Sequence, residues 1–286
     1  MRLLPPPKAH RNLETTPLIA RTAGMRLSSA LLTALPLAAL VVVALASTRS
    51  SAAPGGSPGD RRTVVVELFS SEGCSSCPPA DAVLARLARD QPVAGAEVVA
   101  LEMHVDYWNQ LGWADPFSSA AFSARQRAYA DAFGKRGVYT PQAVVDGASE
   151  LVGSNEPAVR AAVASAAREA KATVLVTRSG DRVAVAISDL AEATEPADVW
   201  LAITEDGLST AVPRGENAGA TLAHGPVVRS LDRVAEIPAG THGVVKVGEV
   251  EVAVKPGWRR DALRAVAFVQ ERRSMRITGA GTTSLR

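Results

Sequence analysis

The sequence predicts an α/β domain followed by a smaller, sandwich-like all-β domain. In residues 62–171, apolar strand-like runs alternate with amphipathic helix-like segments, an order typical of a sheet covered by helices. In residues 172–286, apolar residues recur with a period of two between Gly, Asp and Pro turns, and short strands at this spacing favour a sandwich. These two patterns place a domain boundary near residue 172.

The N-terminal region has the pattern of an export signal. The apolar run at 27–46 follows two arginines and ends in Ala-Leu-Ala, as at a signal-peptide cleavage site. We therefore expect residues 1–46 to be a leader and signal peptide. The mature chain, starting at Ser47, is expected to be periplasmic, extracellular or tethered to the outer side of the cytoplasmic membrane. Because about 20 apolar residues can also span a bilayer, an uncleaved anchor is the alternative, although the Ser, Thr and Pro residues within the run disfavour it.

Residues 47–61 are rich in Ser, Pro and Gly, which predicts a flexible linker. Removing residues 1–46 takes away five of the 31 basic residues and one of the 29 acidic ones, so the formal charge changes from +2 to −2. No basic stripe is left in the mature chain, and a nucleic-acid partner is therefore not expected.

The α/β segment contains three predicted strands and three predicted helices. The strands cover 63–69, 97–105 and 143–146, and the helices cover 80–90, 118–133 and 155–171. The first helix carries apolar side chains at the i, i+3, i+4, i+7 and i+8 positions of one buried face, namely Ala80, Val83, Leu84, Leu87 and Ala88. In the β segment, predicted strands lie at 174–176, 183–187, 199–203, 247–254 and 265–269, and the tail at 279–286 is expected to fray.

The sequence C-S-S-C contains the only two cysteines of the chain, Cys74 and Cys77. It lies between the first predicted strand and the first predicted helix, where unpaired backbone N–H groups and the helix dipole favour a reactive thiolate. Cys74 is the expected nucleophile at an exposed turn, and Cys77, next to Pro78, is the expected buried resolving thiol. Two other interpretations stay open. A disulfide across so short a loop contributes only about 2 kcal/mol to stability, and a zinc site lacks a second C-x-x-C pair.

Four motifs carry a family resemblance: ELFSSEGCSSCPPAD, HVDYWNQLGWADPFS, RQRAYADAFG and VYTPQAVVDG. They resemble a bacterial secreted family catalogued as domain of unknown function 1223. In addition, the strand, the C-x-x-C, the helix and the later Thr-Pro before a strand are similar to a thioredoxin-like domain, in which a cis-proline faces the cysteine pair. The resemblance implies an α/β thioredoxin-like fold for residues 62–171 and thiol–disulfide chemistry. It also implies a cis bond between Thr140 and Pro141, beside Cys74 in a substrate groove.

Two further residues are candidate auxiliaries of the cysteines. His104 ends the second predicted strand, where it can donate a proton or ligate a metal together with the cysteines; a hydrogen bond to Asp106 is the plainer alternative. Glu67 precedes the cysteine turn, and a nearby carboxylate can accept a thiol proton. Glu72, which also flanks the turn, is expected to be solvated.

Other polar and aromatic groups are expected to be structural. We expect a solvated helix face at Arg125, Gln126 and Arg127. We expect only structural contacts from Asn217, His224 and Arg229. Four aromatic residues of one loop are expected to pack as a lid or a local core, with peptide binding as the alternative. They are Tyr107, Trp108, Trp113 and Phe117.

Three functions are consistent with these residues. The first is an exported thiol–disulfide oxidoreductase acting on protein or small thiols and disulfides. The second is a non-catalytic binding module with a structural disulfide. The third is copper binding by Cys74, Cys77 and His104 with Met103 nearby, because soft thiolates select Cu(I). No cofactor and no dedicated metal site are expected, and contact with a membrane is expected only through an uncleaved signal.

Overall fold

The computed structural model describes residues 61–286. The predicted leader, the signal peptide and the linker up to residue 60 lie outside the described residues. The described part contains three α-helices: α1 (Pro78–Asp90), α2 (Ala120–Ala132) and α3 (Glu156–Ala166). No helix in residues 61–286 combines the length and the apolar character needed to cross a bilayer.

Thirteen strands occur in the same part of the chain. The first seven are β1 (Arg62–Ser70), β2 (Ala96–His104), β3 (Gln142–Val145), β4 (Ser149–Val152), β5 (Ala172–Ser179), β6 (Arg182–Leu190) and β7 (Ala197–Glu205). The remaining six are β8 (Ser209–Ala211), β9 (Thr221–Ala223), β10 (Val227–Ile237), β11 (Gly243–Glu251), β12 (Leu263–Glu271) and β13 (Ile277–Ser284).

Eleven of these strands form one mixed sheet, in the order β11-β6-β5-β13-β12-β7-β10-β2-β1-β3-β4. β1 pairs in parallel with β2 and antiparallel with β3. β10 lies between β2 and β7, so it joins the strands of the N-terminal half to those of the C-terminal half. β8 and β9 form a separate two-stranded hairpin.

The predicted fold class, an α/β thioredoxin-like domain followed by a smaller sandwich-like domain, is wrong. Strands from residues 62–171 and from residues 172–286 belong to the same mixed sheet, and most of the regular structure is strand. The physical reason is that a period of two identifies strands without identifying their partners. The pairing of Val227 with Glu102 joins two segments that are far apart in the chain, and local sequence patterns carry no information about it.

β1 illustrates how the sequence determines the layers of the N-terminal half. Successive side chains of a strand alternate between the two faces of the sheet. Val64, Val66 and Leu68 pack with buried residues of α1 and α3. Val65 and Phe69 pack with buried residues of α2 on the other face. Because both faces are covered, the strand is apolar almost without interruption.

The C-terminal half has an apolar core of its own. Buried residues from β5, β6, β7, β11 and β12 form a single apolar cluster that includes Val185 and Leu201. The predicted fraying of the tail is wrong, because Ile277–Ser284 forms β13 between β12 and β5. Gly279 pairs with Ala172, and a Cβ at Gly279 would lie 2.7 Å from the carbonyl oxygen of Ala172. The close approach of β13 to β5 therefore requires glycine at this position.

Candidate functional site

The cysteine turn connects β1 to α1. After β1 ends at Ser70, the N–H of Cys74 donates to the carbonyl oxygen of Ser71, and the N–H of Cys77 donates to that of Cys74, at 3.1 Å each. Cys74 and Cys77 form a disulfide bond. Cys77 is the N-cap residue of α1, and the two residues after it are prolines, which are tolerated because the first N–H groups of a helix have no intrahelical partner. The disulfide therefore lies at the positive end of the helix dipole.

The sulfur of Cys74 contacts two hydroxyl groups. Thr140 Oγ1 donates to Cys74 Sγ at 3.3 Å, and Ser76 Oγ also lies 3.3 Å from it. Thr140 in turn accepts a hydrogen bond of 2.9 Å from Trp108 Nε1, so its single hydroxyl proton is directed at the sulfur. The bond between Thr140 and Pro141 is cis. The predicted cis bond and its position beside Cys74 are both confirmed.

Both cysteines are buried, with relative exposures of 1% for Cys74 and 0% for Cys77. The predicted exposed position of Cys74 is therefore wrong. The loop between β8 and β9, residues 212–220, lies over the turn and is called the cover loop below. The carboxylate of Glu216 accepts from the N–H of Ser75 at 3.0 Å, and Asn217 Nδ2 donates to the carbonyl oxygen of Cys74 at 3.0 Å. These contacts join distant segments, so the cysteine motif alone could not predict them.

A chain of five buried acidic and histidine side chains lies next to the cysteine turn. Within this row of five side chains, each histidine lies between two carboxylates. His224 Nε2 is 3.0 Å from Glu72 Oε1, and His224 Nδ1 is 3.2 Å from Glu102 Oε1. His104 Nε2 is 3.0 Å from the same Glu102 oxygen, and His104 Nδ1 is 2.6 Å from Asp115 Oδ2. We call these five residues the acid–histidine chain.

The carboxylates determine the charge state of the two histidines. Burial lowers the pKa of His104, but hydrogen bonds to Asp115 and Glu102 outweigh burial and hold this pKa well above its ordinary value. Burial also opposes the charged form of His224, yet its bonds to Glu102 and Glu72 raise its pKa to about 9. For Glu102, burial raises the pKa, and the hydrogen bonds from both histidines overcome this effect and lower it to about 2.

The acid–histidine chain also holds the cysteine turn in place. The N–H of Glu72 donates to Asp115 Oδ2 at 2.8 Å, and Trp113 Nε1 donates to Glu72 Oε2 at 2.7 Å. Glu72 is 1% exposed, so its predicted solvation is wrong. The proposed hydrogen bond between His104 and Asp106 does not form, because both ring nitrogens of His104 face other carboxylates. The turn therefore rests on a buried polar network.

Glu67 does not face the cysteines. Its carboxylate accepts from Arg125 Nε at 2.5 Å and from the Tyr129 hydroxyl, on the face of the sheet that packs against α2. Arg125 and Gln126 are buried, so the predicted solvated face is wrong for these two residues, whereas Arg127 is exposed. The polar residue types alone suggested exposure to solvent, but buried hydrogen-bond and ion-pair partners compensate the polar groups of Arg125 and Gln126. Glu67 is thus part of the core beneath α2.

The aromatic loop packs as a local core, as the sequence predicts. Its four aromatic residues are all partly buried: Tyr107, Trp108, Trp113 and Phe117. The Phe117 ring meets His104 and His224 edge-on, with centroid distances of 5.5 and 5.3 Å. The Arg229 guanidinium lies 5.2 Å from the centroid of Phe117 and pairs with Glu205, in agreement with a structural role.

Sequence reasoning missed Glu102 and Asp115 and assigned Asn217 and His224 to structure alone. One local signal was present for Glu102, because Glu102 and His104 are two residues apart on a strand and therefore share a face. Asp115 comes from the aromatic loop, and Asn217 and His224 come from the region of the β8–β9 hairpin. Only the fold brings these residues to the cysteine turn.

Known proteins resemble the chain in sequence or in fold. Residues 65–270 match the model of a family described as "Protein of unknown function (DUF1223)". A protein from Agrobacterium tumefaciens, known from an X-ray crystal structure, is 27% identical in sequence to this chain. The two structures superpose with a TM-score of 0.63, and the match covers 79% of this chain and 94% of that chain. HBP35 of Porphyromonas gingivalis is 18% identical with a TM-score of 0.52, covering 79% of this chain and 76% of that chain, a likeness that shows the fold alone. No curated protein matches the chain.

Proposed function

The chain belongs to the DUF1223 family, and we propose that it is an exported thiol–disulfide oxidoreductase in which Cys74 and Cys77 undergo reversible disulfide exchange. The observation that carries the proposal is an asymmetry between the two sulfurs. Two hydroxyl groups contact Cys74 Sγ at 3.3 Å, whereas no hydrogen bond to Cys77 Sγ occurs within residues 61–286. Hydroxyl donors stabilise a thiolate, and the N-terminal end of α1 acts on both sulfurs, so the two hydroxyl groups make Cys74 the more readily ionised cysteine and the nucleophile of the reduced protein.

Exchange starts from the disulfide of the structure. A substrate thiolate attacks Cys74 Sγ, a new S–S bond forms, the bond between Cys74 and Cys77 breaks, and Cys77 leaves as a thiolate. A second substrate thiolate then attacks the substrate sulfur of the mixed disulfide, and Cys74 leaves as a thiolate. Two substrate thiols are oxidised to one disulfide, and the cysteine pair gains two electrons. Both steps run in reverse when the reduced protein meets a disulfide substrate.

Access to Cys74 requires the cover loop to move. Ser75 and Ser76 are exposed at the rim of the turn, and Glu216 of the cover loop is exposed as well. The polar contacts between the loop and the turn include the bonds of Glu216 to Ser75 and of Asn217 to Cys74. Each of the two Asn217 bonds contributes about 0.5–1.5 kcal/mol, and the bond to the exposed Glu216 carboxylate adds to this, so opening of the loop at this point costs a few kcal/mol.

A structural disulfide is the second candidate, and the burial of both sulfurs favours it. In that case the bond only holds the turn between β1 and α1. The copper interpretation loses support, because both ring nitrogens of His104 face carboxylates and are not directed at the cysteines. Met103 is fully buried in the core that contains residues of α2.

Trapping of a mixed disulfide distinguishes the two candidates. The Cys77→Ala protein, reduced and confirmed to be folded by circular dichroism, is incubated with a disulfide-bonded model peptide. We expect a mixed disulfide at Cys74, identified by intact mass and peptide mapping, because no resolving thiol is left to release it. The Cys74→Ala protein is the matched control and should trap far less. Equal trapping by the two variants, or none by either, would favour the structural disulfide.

The proposed export rests on the signal-like pattern of residues 27–46. Intact-mass measurement of the protein recovered from outside the cytoplasm tests it. A species starting at Ser47 supports cleavage, and a species that retains residues 27–46 supports an uncleaved anchor.

A further inference from the structure

Three potential metal ligands converge in the middle of the acid–histidine chain. Glu102, His104 and His224 each offer one ligand atom that lies within 4.8 Å of those of the other two, and all three residues are buried. Glu102 and His104 project from the same face of β2, a strand in the interior of the large sheet. His224 follows β9, and the next residues begin β10, which pairs with β2. The three groups are therefore held by regular structure and not by a loop alone.

The spacing of the donor atoms fits a first-row divalent ion. Glu102 Oε1 lies 3.0 Å from His104 Nε2 and 3.2 Å from His224 Nδ1. Two ligand atoms that are each about 2.0–2.1 Å from a tetrahedral zinc ion lie about 3.3 Å apart. The distances from the Glu102 oxygen to both histidines are therefore close to those of a tetrahedral site, and the two histidines are within 4.8 Å of each other through their ligand atoms.

The outer nitrogens of both histidines are oriented by carboxylates. His104 Nδ1 is 2.6 Å from Asp115 Oδ2, and His224 Nε2 is 3.0 Å from Glu72 Oε1. When a protonated imidazole binds a metal, the ligating nitrogen releases its proton and turns its lone pair to the ion, while the other nitrogen keeps its N–H for its carboxylate partner. Carboxylate–histidine–metal arrangements use this division, because the outer carboxylate fixes the ring and its tautomer while the inner nitrogen ligates. Here both inner nitrogens face the same oxygen, Glu102 Oε1.

The charges around the three groups favour a cation. Glu72, Glu102 and Asp115 are all buried, and each of their salt bridges within residues 61–286 is to a histidine, with no Lys or Arg partner. Buried carboxylates require compensation by a cation or by hydrogen bonds. Three carboxylates face only two histidines, so the group stays net negative even when both rings are protonated, and a divalent ion that displaces one proton from each ring keeps the same charge balance.

We propose that Glu102, His104 and His224 form a binding site for a divalent transition-metal ion of the zinc type. Imidazole and carboxylate ligands suit Zn(II) and neighbouring first-row divalent ions, whereas Cu(I) prefers sulfur. The site is separate from the cysteine pair, and it ties β2 to the segment between β9 and β10. Through Glu72 and Asp115, it also supports the cysteine turn.

Metal content and ligand type test the proposal directly. The full chain is produced without a histidine tag in zinc-supplemented medium, purified and analysed for metal by mass spectrometry and by X-ray absorption. We expect about one zinc ion per chain with nitrogen and oxygen neighbours only, and a higher melting temperature than after removal of the ion by a chelator. Less than half an ion per chain with Zn(II), Co(II), Ni(II) and Mn(II) alike, or sulfur among the neighbours, would overturn the proposal.

Three variants locate the ion. His224→Ala is expected to reduce zinc content at least tenfold, since loss of a ligand exceeds the effect of a second-shell change. His242→Ala is the matched control, because His242 is exposed and its ring lies beside the carbonyl oxygen of Gly240, and the double variant Cys74→Ser, Cys77→Ser should also retain the ion. If His224→Ala keeps the full zinc content, or if the cysteine variant loses it, the assignment of ligands is wrong. If His224→Ala does not fold, the X-ray absorption data on the wild-type protein decide the type of ligand: nitrogen and oxygen neighbours support the assignment, and sulfur neighbours contradict it.

Discussion

The hydroxyl group of Thr140 donates a hydrogen bond of 3.3 Å to the sulfur of Cys74. Thr140 lies just before β3, and Cys74 lies in the turn after β1, so two neighbouring strands of the sheet bring the two residues together. This contact distinguishes Cys74 from Cys77. It also makes Thr140 the residue whose substitution tests the reactivity of the turn.

Thr140→Val should slow the alkylation of reduced Cys74. Valine has nearly the same shape as threonine but cannot donate a hydrogen bond to the thiolate. Hydrogen bonds to charged groups contribute about 1.5–3 kcal/mol, so we expect a fall of at least about tenfold in the alkylation rate at neutral pH. Thr177→Val, at an exposed position of β5, is the control and should leave the rate unchanged. An unchanged rate in Thr140→Val would mean that the hydroxyl does not stabilise the thiolate.

Asn217→Ala should expose the disulfide. The side chain of Asn217 donates to the carbonyl oxygens of Glu72 and Cys74, and these bonds hold the cover loop over the turn. Loss of about 1 kcal/mol of loop stabilisation predicts about fivefold faster reduction of the disulfide by dithiothreitol. Arg214→Ala changes an exposed residue of the same loop and provides the comparison. Equal reduction rates in the two variants would show that Asn217 does not limit access.

Asp81 should make the metal-free protein less stable as the pH rises from about 5 to about 6. Burial, followed by repulsion from Glu102, raises the pKa of Asp81 to about 8, although the Ser70 hydroxyl at 2.5 Å opposes this shift. Between the ordinary value of 3.8 and about 8, the native state holds a proton that the unfolded state has lost. Stability must therefore fall with rising pH in this window, by at most about 1.4 kcal/mol per pH unit.

Urea unfolding of chelator-treated protein at the two pH values checks this prediction. The chosen window lies below the ordinary pKa of histidine, about 6.5, so the histidines contribute little to the slope. Asp81→Asn should flatten the slope, since asparagine stays neutral, whereas Asp131→Asn on the exposed face of α2 should not. A slope that survives in Asp81→Asn would assign it to other groups.

Arg125→Met should destabilise the protein strongly. Arg125 forms a buried ion pair with Glu67 and also donates to Gln270 at 2.9 Å. Removing one partner of a buried pair leaves an uncompensated charge and costs about 3–5 kcal/mol. The double variant Arg125→Met, Glu67→Gln removes both charges and should recover part of the loss. Urea unfolding of the three proteins measures the effect, and a loss below about 1 kcal/mol would mean that the pair is more hydrated than its burial indicates.

The local elements around the cysteines could be predicted from the sequence, whereas their surroundings could not. The apolar run before Cys74 predicts β1, and the stripe after Cys77 predicts α1, because both features depend on neighbouring residues. The cis bond at Thr140-Pro141 is expected only from the resemblance to a thioredoxin-like domain. The sheet that joins both halves depends on the pairing of β10 with β2, which has no local signal.

The candidate site fails prediction for the same reason. His104 could be recognised as a residue with chemistry at the end of β2, but its actual partners come from β2 itself and from the aromatic loop. His224 lies 152 positions from Glu72 in sequence and 3.0 Å from it in space. Burial changes the structural role of such residues, because a charged group that would be solvated on a surface becomes part of a paired network in the interior.

The relative alkylation rates of the two cysteines in the reduced wild-type protein test the central claim most directly. A short pulse of iodoacetamide at neutral pH, followed by quenching in acid and peptide mass spectrometry, measures the label at each position. If Cys74 is the nucleophile of an oxidoreductase, it reacts faster than Cys77 and faster than cysteine in a short unstructured peptide. If Cys77 reacts as fast as Cys74, or if both react more slowly than the peptide, the disulfide is structural and the proposed exchange does not occur.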